Sequence, residues 1–524
     1  VNSKTGFYKR ISLIGLGAVG GALWLSLYQI QEVARAATPD ISTTSIGQNS
    51  LFSPSVGSFS DSLLGSPDQG KAPIKGRVRL NPPASVTGNK VTATKSTNAQ
   101  PSEAKGRLNP NVPAVTNIIK ASKSAVPKQS IAPKSQLEPV KLRIESDGRP
   151  ILTRLPEFQT VAAGRVAGIS TDRDYVIYSL DPKLQKFTAD LVKRAAAPHV
   201  AIVVMDPNTG RVLAMADKST SIPELSLHAG FPAASLFKIV TSAAALEQSK
   251  LQPLSPIAFR GGNYTLDRWN ALPNTRLDRR SMSLAEALGR SCNPVFARVA
   301  LNHLSPEILR SYANAFGFNR DIDFDIGISS STATIPNDDG YEIGRTAAGF
   351  GKIKISPVHA ASIMSGIANG GIMPRPYVID ALYNNDGEIL FSSQPQDLGR
   401  IVGSGTAREL MSMMQYTTTI GTSHREFTNR KGSVINEMAV AAKTGTLRGT
   451  DPLGTNHWFL AAAPLNNPRI AVSVISIDPV KSTGKASYLG RMVMEQFFGN
   501  PNPYTIQPAA TIKRTTKKKT VRRK

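Results

Sequence analysis

The chain has 524 residues and a formal net charge of +25, enough length for more than one domain at roughly 150 residues each. Its single cysteine, Cys292, excludes an intramolecular disulfide and a thiolate metal cluster, and its six histidines are scattered without the spacing of a zinc site. The basic excess admits nucleic acid, anionic lipid or an acidic polymer as a partner, so where the charge sits decides among them.

The stretch ISLIGLGAVGGALWLSLYQI, 11–30, carries no charge and follows Lys4, Lys9 and Arg10. About 20 apolar residues cross a bilayer as a helix, and flanking cations stay on the cytoplasmic side. The expectation is a cytoplasmic tip at 1–10 and a transmembrane anchor at 11–31. This single pass through the cytoplasmic (inner) membrane would leave the rest of the chain on the periplasmic or extracellular side. Ala34-Arg35-Ala36 has the form of a signal-peptidase site, which leaves cleavage open. Gly15, Gly17 and Gly20 make a GxGxxG pattern, but Ser/Thr/Pro-rich sequence follows where a nucleotide fold needs a second strand and an acidic residue. Gly17 and Gly21 suit a close contact between membrane helices equally well.

Residues 32–140 are rich in Ser, Thr, Pro, Asn and Lys and sparse in aromatics. Such a segment buries too little apolar surface to offset its ordering entropy and is expected to be a disordered linker. Two short echoes, KGRVRLNPPASVT from Lys75 and KGRLNPNVPAVT from Lys105, are too few for a solenoid. They read as drift in a low-complexity tether or, alternatively, as a repeated docking motif.

Globular sequence is expected from 141, with a short leading segment at 141–172. DYVIYSL, 174–180, predicts a strand, and Asp181-Pro182 opens a helix as cap and first-turn proline. HVAIVVMDPNTGRVLAMA predicts a β-hairpin turning at Asn208-Thr209-Gly210. Helical spacing recurs around 235–250, 283–303, 305–316 and 357–369, and strands around 457–464 and 469–477. A hairpin, a block of helices and then more strands predict an α+β domain, its antiparallel sheet flanked by helices and drawn from both ends of the segment.

Three polar clusters stand out: Ser235-Leu236-Phe237-Lys238, Ser291-Cys292-Asn293 and Lys443-Thr444-Gly445-Thr446. The first puts a cation inside an apolar helix, which costs free energy without a partner. Residues three apart share a helix face, so Lys238 can reach Ser235. A serine hydroxyl is a poor nucleophile until a base takes its proton. Apolar neighbours should lower the pKa of Lys238 toward a neutral amine. Cys292, the only thiol, sits beside this chemistry, but a free cysteine is more often a small buried hydrophobe than a nucleophile.

In type and order the clusters resemble the SxxK, SxN and KTG motifs of penicillin-binding proteins and serine β-lactamases. YSLDPKLQ, FPAASLFKIVTSAAALE, SLAEALGRSCNPVFARVAL, GKIKISPVHAASIMSGIANGG and AAKTGT…HWFLAAAP also look like transpeptidase segments, especially of class B penicillin-binding proteins. The likeness runs over about 174–500 and implies the serine β-lactamase/transpeptidase-like fold for 173–500, with 501–524 a basic disordered tail. One departure is Ala233-Ala234, where many transpeptidases have Pro-Gly. A glycosyltransferase domain is not expected upstream, and the usual class B pedestal is expected to be absent or reduced to about 141–172.

The resemblance implies roles. Ser235 would be the nucleophile and Lys238 its base. Ser291 would pass a proton to the leaving amine, and Asn293 would bind the substrate amide. Lys443, with Thr444 and Thr446, would receive the substrate carboxylate, and Gly445 would clear the strand edge. The N–H groups of Ser235 and Thr446 would form the oxyanion hole, worth about 3–4 kcal/mol to a transition state. Trp458 and Phe459 read as core. The implied activity is that of a peptidoglycan D,D-transpeptidase acting on stem peptides and acylated by β-lactams, with no metal or organic cofactor. A membrane glycosyltransferase or another cell-wall synthesis protein is the expected partner, and no nucleic acid. Alternatives are a D,D-carboxypeptidase or class D-like β-lactamase, and a non-catalytic β-lactam sensor or cell-wall scaffold; no segment between Asn293 and Lys443 clearly supplies the water-activating glutamate of class A β-lactamases, for which Glu342 is a decoy.

Overall fold

The computed structural model describes residues 137–158, 165–429, 432–433, 438–478 and 485–499, all within one unit, Arg107–Lys524. The anchor expected at 11–31, the linker up to 136 and the tail at 501–524 lie outside the described residues. Among the described residues no helix is long and apolar enough to cross a membrane.

The hairpin expected around Asn208 forms as strands His199–Met205 and Val212–Lys218. It joins three late strands in one antiparallel sheet, in the order Ala441–Thr450, Leu453–Ala463, Ile470–Asp478, His199–Met205, Val212–Lys218. Alternate side chains of a strand face opposite ways. Trp458, Leu460 and Ala462 therefore enter one core, with Ala471, Ile475 and Ile477. Phe459, Ala461 and Ala463 enter the other, with Ile470, Val472 and Val474. Burial on both faces explains why RIAVSVISI reads as a nearly unbroken apolar run.

Helices Pro182–Arg194 and Ala486–Phe497 cover the second core. Asp181 caps the former as expected, accepting from Leu184 N at 2.8 Å. The first core is filled by Phe237–Gln248 and the helices around it, among them Asn293–His303, Pro357–Ala368 and Ser404–Thr419. The pattern at 283–303 divides into two helices, Leu284–Arg290 and Asn293–His303. The break falls at Ser291, whose φ of 58° ends the first helix in the left-handed region.

A second sheet runs Glu138–Val140, Ala167–Ser170, Tyr175–Tyr178, Ile379–Tyr383 and Ile389–Ser392. Tyr175–Tyr178 is the strand expected in DYVIYSL; the other four are too short to display an alternating pattern, and Glu138–Val140 corrects the expectation that the linker stays without structure to residue 140. The expected boundary at 172/173 falls in the turn between two paired strands of this sheet. Ion pairs tie the region to the rest: Arg375 meets the buried Asp325 at 2.7 Å and the exposed Asp323 at 2.8 Å, and Asp323 also holds Arg149 at 2.8 Å.

Candidate active site

Ser235 stands in a 3₁₀ turn, Ala234–Leu236, that feeds the helix Phe237–Gln248. Its approach is fixed from three sides. Phe231–Pro232 pairs with the strand Ile353–Ile355. Trp458, buried as expected, donates its indole N–H to Pro232 O at 2.9 Å. Gly349, with φ of +93°, passes so close that a Cβ there would lie 2.0 Å from Ala234 O. The helix entry has a cost of its own: Ala234 adopts φ of 50°, a region where a non-glycine residue is strained by about 1–2 kcal/mol. This explains why Pro-Gly is common at the same place in the sequences this chain resembles.

Lys238 is fully buried. Its Nζ lies 2.9 Å from Ser235 Oγ and 2.8 Å from Asn293 Oδ1, and it also bonds the Ala348 carbonyl. Burial, reinforced by the nearby charge of Lys443, holds its pKa well below the ordinary lysine value. A neutral amine has two N–H bonds and one lone pair. Two of the three partners are carbonyl oxygens that can only accept; a neutral amine that donates to both would keep its lone pair for the Ser235 hydroxyl.

Asn293 opens its helix, and the surrounding loop orients it. Its backbone N–H donates to Asn263 O at 2.7 Å and its side-chain Nδ2 to Tyr264 O at 2.6 Å, which turns Oδ1 toward Lys238. That loop, between strands Pro256–Phe259 and Arg280–Ser283, is held by Asp278, which pairs with Arg298 at 3.0 Å and Arg260 at 2.7 Å. The lobe's part in the site had no sequence signal: Arg298 and Asp278 look like ordinary surface charges until the fold buries them.

Lys443 donates to Ser291 Oγ at 3.0 Å and to Thr444 O at 2.7 Å. It is fully buried, and burial pushes its pKa down to about 7. The missing side chain of Gly445 serves packing: a Cβ would meet Trp458, Ala233 O and Ala234 at 3.2–3.3 Å. Having no side chain, Gly445 also lets the strand close over the turn that carries Ser235.

These groups open onto a cavity of about 310 Å³ lined by Ser235, Ser291, Asn293, Thr444, Thr446 and the 65% exposed Tyr264, among others. Lys238 and Lys443 stand behind its wall. Cys292 is buried, and burial raises its thiol to about 11, as suits an inert packing residue. Glu342 is tied to Arg345 at 3.0 Å and is absent from the cavity lining. A larger cavity, about 480 Å³, lies between Leu155–Phe158 and the strand Val212–Lys218 and holds none of the three motifs.

A serine hydroxyl lies beside a buried lysine amine whose pKa is held low, at the edge of a cavity that also receives residues of the second and third motifs. The chain belongs to the family described as the penicillin binding protein transpeptidase domain, which matches residues 200–495. It is 27% identical over 395 residues to the peptidoglycan D,D-transpeptidase PbpA of Mycobacterium tuberculosis, covering 67% of this chain and 76% of that one. The corresponding protein of Mycolicibacterium smegmatis is 26% identical over 371 residues, covering 64% and 72%. Among solved structures, the fold matches penicillin-binding protein A of M. tuberculosis in its imipenem acyl-enzyme complex (TM-score 0.51, 24% identity, 63% of this chain and 80% of that one). It also matches a D,D-transpeptidase domain from Eggerthella lenta (TM-score 0.53, 22% identity, 70% and 99%).

Proposed function

We propose that this chain is a peptidoglycan D,D-transpeptidase in which Ser235 is the nucleophile and Lys238 its base. The observation that carries the assignment is the set of three partners around Lys238, two of which can only accept, so that a neutral amine donating to both would keep its lone pair for Ser235.

The Ser235 proton passes to the neutral Lys238 amine as Oγ attacks the carbonyl between two D-alanines. The Ser235 and Thr446 N–H groups take the developing oxyanion. As the tetrahedral species collapses, the C–N bond breaks, and the leaving amine receives the proton through Ser291, which Lys443 orients at 3.0 Å. D-alanine departs and an ester remains on Ser235. The amine of a second stem peptide then attacks, loses its proton to the same base, and forms the cross-link. A β-lactam enters by the first step, because its strained amide stands in for the D-alanyl-D-alanine bond. The relative solved as an imipenem acyl-enzyme fits that expectation.

Transfer to an amine rather than to water is assigned on the likeness to the peptidoglycan D,D-transpeptidase PbpA. We place the catalytic domain at about 173–500 and its anchor at 11–31, on the outer side of the cytoplasmic membrane, working with a glycan-polymerising partner. Labelling with a fluorescent penicillin and mapping of the modified peptide tests the assignment. Label should sit on Ser235, persist for many minutes, and vanish in a folded Ser235→Ala variant. Label on Cys292, or rapid release of penicilloic acid, would overturn it.

A further inference from the structure

The residue with the highest charge in the third motif does not reach the cavity. Lys443 is fully buried and its Nζ is engaged by Ser291 Oγ and Thr444 O. The polar surface on that side of the cavity is made of hydroxyls instead. Thr444 and Thr446, two apart on one strand, share a face and both line the cavity. A third hydroxyl joins them from elsewhere in the chain. Thr422 lies in the turn after the helix Ser404–Thr419, lines the same cavity, and places its Oγ1 2.5 Å from Thr444 Oγ1. Its backbone is fixed there, since Thr422 N donates to Gly289 O at 3.2 Å and Ser423 N to Thr417 O at 3.0 Å.

Hydrogen counting gives the pair a direction. Two hydroxyls carry two hydrogens, and one is used between them. Whichever threonine donates internally, the other keeps a hydrogen free to point into the cavity. A lone Thr444 hydroxyl could rotate toward its own strand; with Thr422 beside it, one donor is held available for an anion. Lys443 behind the wall adds positive potential without contact.

We propose that Thr422 is a specificity-determining residue that, with Thr444 and Thr446, anchors the terminal carboxylate of the donor peptide, and that this hydroxyl cluster rather than Lys443 makes the direct contact. The inference rests on the transpeptidase reading above and extends its carboxylate site to a residue outside the three motifs. It predicts discrimination between a free C-terminal carboxylate and a blocked one.

The test compares benzylpenicillin with its methyl ester, which keeps the reactive amide and removes the anion. Thr422→Val, equal in shape but without the hydroxyl, should lower the second-order acylation constant for the acid about 10-fold, the scale of one hydrogen bond to a charged group. The constant for the ester should stay within about twofold, since no charged hydrogen bond is lost with it. Thr422→Ser should restore the preference for the acid. An unchanged rate with the acid would overturn the inference while leaving Ser235 as nucleophile. So would an equal loss with acid and ester, which marks a structural role. A wild-type protein that is never acylated at Ser235 would remove the transpeptidase reading and this inference with it.

Discussion

Asn293 Oδ1 lies 2.8 Å from Lys238 Nζ, and the amide cannot turn away because its Nδ2 donates to Tyr264 O. A neutral amide there lets Lys238 stay neutral. In Asn293→Asp a carboxylate takes its place and stabilises the ammonium form. Acylation by penicillin should fall at least ~10-fold at neutral pH and recover as pH rises, since each unit of pKa shift is a tenfold change in the neutral fraction. The check is the second-order rate against pH. A profile that keeps its position would detach Lys238 from the base role.

The Asp278 pairs predict a structural dependence of catalysis. Asp278 holds Arg298, which is 1% exposed, and Arg260. Removing the carboxylate leaves two buried guanidinium groups uncompensated, at about 3–5 kcal/mol. Asp278→Asn should lower the midpoint of denaturant unfolding strongly. Protein that remains folded should acylate more slowly, because the lobe that orients Asn293 is loosened. Wild-type stability in Asp278→Asn would show that the pairs contribute little.

His359 predicts acid sensitivity. It is fully buried, its Nε2 contacts Phe316 O at 2.8 Å, and burial lowers its pKa to about 4. The unfolded chain binds the proton at higher pH than the native one, so stability from this group is complete above about 6.5 and is lost as pH falls toward 4. The span amounts to about 3 kcal/mol. Unfolding free energy measured from pH 7 to pH 4 should decline by this order, and His359→Gln should flatten part of the decline. Equal slopes in both proteins would place the acid sensitivity elsewhere.

At Ala234, φ of 50° predicts an inverted substitution series. Replacing a buried alanine by glycine ordinarily destabilises, but here the left-handed backbone favours glycine. Ala234→Gly should leave the thermal midpoint unchanged or raise it, and acylation should be retained. Ala234→Val should unfold the site, because a branched Cβ is excluded from this region. A clear loss of stability in Ala234→Gly would mean that the packing of the Ala234 methyl against the strand at Gly445 outweighs the strain.

The sequence by itself determined the family and the order of the chemistry. Short apolar runs bounded by turn residues marked four of the five central strands, and the fifth, Ala441–Thr450, carries the third motif. Asp181-Pro182 marked its helix, and three residues of helical spacing joined Ser235 to Lys238. These signals are local: each depends on neighbours within about one or two turns. The tertiary structure decided what depends on distant parts of the chain. It alone buries Lys443 behind the wall it was expected to line, brings Thr422 to Thr444, and turns Asn293 toward Lys238 through the carbonyl of Tyr264. It alone gives Asp278 its two arginines, and it pairs the strand of DYVIYSL into a second sheet whose other strands are too short to announce themselves. Burial, long-range hydrogen bonds and the desolvation that lowers a lysine pKa are properties of packing. A residue's type and immediate neighbours do not record them.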